Sequence, residues 1–140
     1  MTNRADKFTQ LQKKREYYAD FATSFSRHPV TSALSRVINE DAVAQAIKNI
    51  VLTNYGERPY EPDVGSDIIR SLFEQNDHIT AHDVEIRLRL AISQGEPRAI
   101  LHGINVDPSP DNYTFKVTIV YSTINTTEPS SLSLIIKRIR

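Results

Sequence analysis

The chain has 140 residues, enough for a single domain with a sizeable core, and it lacks cysteine, which excludes disulfides, thiolate metal sites and cysteine nucleophiles. Seventeen basic and seventeen acidic residues balance to zero, which argues against a nucleic-acid module resting on a general basic surface. No apolar run is long enough to span a bilayer and Met1 to Lys7 lacks the apolar stretch of a secretory signal, so no membrane partner is expected and the protein reads as soluble and made in a cytoplasm.

Charge is unevenly spread. Residues 1–16 carry Arg4, Lys7, Lys13, Lys14 and Arg15 against Asp6 and Glu16, and the last residues add Lys137, Arg138 and Arg140, leaving an acidic body between basic ends. Such ends suit nucleic acid, contacts between neighbours in an assembly, or plain solvation, and charge alone does not choose. With Phe8 and Leu11 as its large hydrophobes, the stretch 1–16 reads as a mobile N-terminal arm that becomes helical against a partner. Residues 17–140 form the domain.

Tyr17 to Phe25 is rich in aromatic and hydroxyl residues and suits a short strand, closed by Pro29, with Ser35 to Ile38 returning as a second. Asn39 is the expected N-cap of a helix with Glu40 and Asp41 in its first turn and Val43, Ile47, Ile50 and Val51 on its buried face. It ends at Thr53 and Asn54. Tyr55 to Gly65 then holds two prolines and two glycines in eleven residues and predicts an ordered loop of functional length. Ser66 is the expected cap of a short helix bearing Ile68, Ile69, Leu72 and Phe73, and Thr80 with Asp83 resembles a capping box opening a third helix that buries Val84, Leu88, Ala91 and Ile92. On its exposed side Glu85 and Arg89 form a pair four residues apart.

That helix meets the corner Gly95-Glu96-Pro97-Arg98. Gly95 is expected to end it in a left-handed conformation and Pro97 to forbid its continuation, so that a Glu and an Arg stand on a fixed turn. Taken alone, the pair is either a recognition site or an ordinary solvated ion pair. Strands follow. Ile100, His102, Ile104 and Val106 alternate, 107–112 supplies turn chemistry, Tyr113, Phe115, Val117, Ile119 and Tyr121 alternate again, and Ser131 to Ile139 forms the last strand of an antiparallel meander. With Leu132, Leu134, Ile135, Ile136 and Ile139, this last strand is apolar on both faces, so it is central in its sheet or covered by something else. The fold class is α+β: three helices packed on a small, mainly antiparallel sheet formed largely by C-terminal strands.

Catalytic chemistry is sparse. His28, His78, His82 and His102 lack the spacing and carboxylate company of a metal site, and there is neither a phosphate-cradling glycine loop nor a serine elbow, so no cofactor or metal is expected. Two carboxylates drawn from Glu57, Glu61, Asp63, Glu74 and Glu96 would suffice for a glycosidase. The chain has no tryptophan to line a sugar cleft, however, and carboxylates beside Arg58 are better read as ion-paired.

Taken together, Leu52 to Tyr60 with its Gly56-Glu57-Arg58 step, Pro62 to Ser66, Leu72-Phe73 and the Glu96-Pro97-Arg98 triplet resemble the sheath-initiator family of contractile-tail baseplates. This is the lysozyme-like GPW family of phage baseplate wedge proteins, similar also to the baseplate E subunit of type VI secretion systems. Phe25 to Val30 and Asp41 to Val43 look like phage members too, and the resemblance spans roughly residues 17–138. It implies a structural protein of the virion tail baseplate rather than an enzyme. Glu96, Pro97 and Arg98, with Glu57 and Arg58, would dock on the core-bundle proteins of the wedge, beside neighbouring baseplate proteins. The terminal strand, through Leu132, Leu134, Ile136 and Arg138, would add to strands of the tail sheath subunit and template its polymerisation. The alternative, a lysozyme-like peptidoglycan hydrolase, lacks an assignable pair of acid and nucleophile.

Overall fold

The computed structural model describes residues 17–109 and 113–137; the N-terminal stretch 1–16, and with it the expected arm, lies outside the described residues, as does Arg138. In chain order, β1 (Ala19–Phe21) and β2 (Arg36–Ile38) pair antiparallel, then come α1 (Glu40–Leu52), α2 (Ile68–Ser71) and α3 (His78–Gly95). β3 (Ala99–Ser109), β4 (Thr114–Thr123) and β5 (Thr126–Lys137) form a separate antiparallel meander. The expected helices, strands and meander are all present, in two sheets.

The core lies between the helices and one face of the three-stranded sheet. Val43, Ile47 and Val51 of α1 and Val84, Leu88 and Ile92 of α3 meet Phe115, Val117, Ile119 and Tyr121 of β4. Helical spacing of three and four and strand spacing of two put each set on a single face. Removing these side chains from water contributes about 1.5–3 kcal/mol apiece.

Several local expectations change. Asn39 opens α1 through its backbone carbonyl, which accepts from Val43 N–H at 3.1 Å, while its side chain caps nothing. Its Oδ1 instead accepts from the Tyr17 N–H at 2.9 Å, tying the segment before β1 to the helix start. Ser66 is not the cap of α2, since Asp67 occupies that position. Fully buried, Ser66 donates from Oγ to the Val51 carbonyl at 2.6 Å and satisfies one of the carbonyls left over at the end of α1. α3 starts one turn before the expected box, at His78. Its cap is Asp77, whose Oδ1 accepts from Thr80 N–H at 2.8 Å, a bond that holds the carboxyl below its ordinary pKa.

Gly95 is the last helical residue and is not left-handed. What it requires is space, because a Cβ there would stand 2.9 Å from Ile50 Cδ1. β3 also departs from simple alternation. A bulge between Leu101 and Gly103 flips the phase, so Ala99 and Leu101 pack against the core before the bulge and Ile104 and Val106 after it, leaving Ile100 and His102 exposed. β3 continues through Pro108, which the sequence assigned to the turn; its missing N–H is tolerable because β3 is an edge strand. β5 is the opposite edge, not the centre, and starts earlier than expected, at Thr126.

Candidate functional site

Two regions hold the residues that the sequence singled out. The first is the corner between α3 and β3, where the Ala99 N–H donates to the Glu96 carbonyl at 3.1 Å and closes a turn with Pro97 in its second position. The turn folds Arg98 back on Glu96: Nε donates to Oε1 at 2.6 Å, Nη2 to Oε2 at 2.7 Å, and the Arg98 N–H to Oε1 at 3.2 Å. Glu96 is 4% exposed, so this is a bidentate, largely buried pair and not a solvated one. Arg98 also reaches Asp20 Oδ2 at 3.6 Å and lies over the Tyr18 ring, 5.3 Å from its centroid. Hydrogen bonding to Glu96, with Coulombic support from Glu96 and Asp20, raises the Arg98 pKa further above its already high ordinary value despite partial burial. The corner therefore clamps β1 against the α3–β3 junction, and of the triplet only Pro97 is exposed, Arg98 being half-buried.

Beside it lies a polar depression of about 360 Å³ bordered by Asp20, Gln45, Asn49, Arg58, Glu61 and Gly95. The fold thus brings Arg58, from the loop 53–65, to the same side as the corner, with Asp20 as the shared neighbour. Gly65 makes this loop possible, since a Cβ there would meet the Asn54 carbonyl carbon and the Thr53 oxygen at 2.8 Å. Within the loop Arg58 pairs with Glu61 at 3.3 Å, while the exposed Glu57 accepts from Asn54 N–H at 2.9 Å and does not border the depression.

The second region is the free edge of β5. Leu132 and Leu134 pack against the core and Ile136 is buried in it, so these side chains hold the strand in the fold, while Ile135 on the other face is 74% exposed. What β5 leaves open is backbone: its outer edge makes no hydrogen bond to another described residue.

Reacting groups do not converge. His78 and His82 share α3 one turn apart, but His82 faces Glu85, and among the described residues no three metal-ligating side chains cluster. Of the carboxylates considered for acid and nucleophile roles, Glu96 is clamped by Arg98 and Glu61 is paired with Arg58. The geometry is that of an α+β domain with a braced charged corner and a sheet edge that has no partner among the described residues.

Comparison with known proteins gives that class its family. The family model for baseplate wedge protein gp25 matches residues 38–128, a shorter span than the resemblance suggested. The baseplate wedge protein gp25 of Enterobacteria phage T4 is 34% identical over 92 residues, 66% of this chain and 70% of that protein. The chain belongs to the baseplate wedge protein gp25 family. Membership places it among structural proteins of tail baseplates, not among enzymes. The fold is shared with a crystal structure from Geobacter sulfurreducens assigned as a tail lysozyme (TM-score 0.68, 24% identity, 77% of this chain and 98% of that one). It is shared also with a chain of the anti-feeding prophage baseplate (TM-score 0.60, 18% identity, 88% and 87%) and one of the type VI secretion baseplate complex (TM-score 0.54, 20% identity, 70% and 92%).

Proposed function

We propose that this chain is a structural component of a contractile tail baseplate which docks on the core bundle of the wedge and seeds the tail sheath by accepting a strand along β5. The observation that carries the second half is the unpaired outer edge of β5. An edge of a twelve-residue strand with no partner among the described residues is a template for another chain, and pairing transmits register from one subunit to the next. Docking is supported by the rigidity of the Glu96-Pro97-Arg98 corner and by the exposed Arg58 beside it, with neighbouring baseplate proteins around them. Glu57 contributes by shaping the loop that presents Arg58.

Deleting the end of the chain is a poor test of strand addition, because Ile136 would leave the core with it. Adjacent serines offer a cleaner one. Successive amides of a strand point to opposite edges, so of Ser130→Pro and Ser131→Pro one removes an outward donor and the other a donor to β4. The variant that keeps its melting temperature is the outward one, and baseplates built with it should carry no sheath; a normal sheath would refute the proposal. For docking, Arg58→Glu should leave the domain folded yet absent from purified wedges, and normal incorporation would refute that half.

A further inference from the structure

We infer that the segment received by β5 is acidic and carries two large apolar side chains four residues apart, each seated in one of two depressions along the strand's free side. The inference rests on the strand-addition reading and specifies the chemistry of the partner.

One depression, of about 400 Å³, lies between Leu132 and the residues Val37, Ala44 and Lys48; the other, of about 280 Å³, lies between the end of β5, at Ile135, Ile136 and Lys137, and the residues Leu52, Ile69 and Phe73. No β4 residue borders either, so both lie on the side of β5 away from its sheet neighbour. Leu132 and Ile136 share the core face and stand about 13 Å apart at strand rise. Along α1, Ala44 to Leu52 covers about 12 Å at helical rise. Helix and strand therefore advance by similar lengths, which sets one depression near Leu132 and the other near Ile136. A strand paired to that edge projects every second side chain into this layer. Residues i and i+4 reach the two depressions whether the strand runs parallel or antiparallel; i+2 faces the stretch of Leu134 between them.

The walls state what should fill them. Leu52 is 45% exposed and Phe73 62%, an apolar surface that an apolar side chain would cover. Neither depression is bordered by an acidic residue, each has one exposed lysine, and neither Lys48 nor Lys137 is ion-paired among the described residues. The chain then continues with Arg138 and Arg140. Acidic side chains flanking the apolar pair complement this edge.

The test uses the full chain and fluorescent nonapeptides of threonine and glutamate with leucine at the third and seventh positions. The controls carry leucine at the third and sixth, which face opposite sides of a strand, or lysine in place of glutamate. Binding is read by anisotropy and by slowed amide exchange in β5. The matched peptide should bind at least about tenfold tighter than the misaligned one, the worth of seating one leucine. It should slow exchange along β5 and weaken by a similar factor on Leu52→Glu. The lysine version should bind less well at low salt, a difference that closes as salt is raised. Equal binding of both leucine patterns with β5 protected would overturn the spacing while leaving strand addition intact. Binding without protection of β5, or no binding by either pattern, would overturn strand addition itself. Indifference to the lysine exchange would remove the acidic requirement.

Discussion

The corner at Glu96–Arg98 and the edge of β5 are opposites. The corner is dense in charge and nearly all of it is used internally, with both carboxylate oxygens of Glu96 bound by one guanidinium that also contacts Tyr18 and Asp20. The edge forms no ion pair among the described residues and leaves its outer backbone groups without partners among them. Conspicuous residues thus mark where the fold is braced, and an unremarkable serine- and leucine-rich stretch marks where backbone groups have no partner among the described residues. The corner lies inside the family-matched span 38–128, while β5 starts within it and runs past its end.

That contrast can be broken by showing that corner variants spare stability or that edge variants do not. The largest effect is expected from Arg98→Ala, which strands a carboxylate that is 4% exposed. Its fully buried limit is about 3–5 kcal/mol, and partial exposure of Arg98 brings the expected loss to about 2 kcal/mol in urea unfolding. The double variant Glu96→Ala/Arg98→Ala should be less destabilised than the sum of the singles, by about 1 kcal/mol or more. Ser66→Ala comes next, at about 1 kcal/mol, through the lost bond to the end of α1.

Asp77→Ala should lower the melting temperature modestly at neutral pH. Its folded pKa is depressed by the Thr80 N–H, so its contribution is complete above the ordinary carboxylate value and fades as the pH drops through the folded one. Parent and variant should converge in acid; a constant difference would mean the cap acts without its charge. Smallest in stability is Ile135→Lys on the outer face of β5, expected within about 0.5 kcal/mol of the parent by thermal unfolding. A larger loss would show that this face is already packed in the free protein.

Periodicity alone determined the helical faces of α1 and α3, the alternation of β4 and the order of three helices followed by the meander, because burial repeats at 3.6 or 2 residues whatever else surrounds it. The motif residues of the loop and corner were legible too. Their employment was not. Ser66 and Asn39 stand where helix caps belong, and only the return of distant chain showed Ser66 bonding the end of α1 and Asn39 holding the Tyr17 amide. Gly95 reads as a turn residue until the approach of Ile50 shows that it is wanted for its size. Most of all, tertiary structure decided that the Glu96–Arg98 charges face each other and that β5 is an edge. Both depend on which segments meet across the fold, and local pattern carries no record of that.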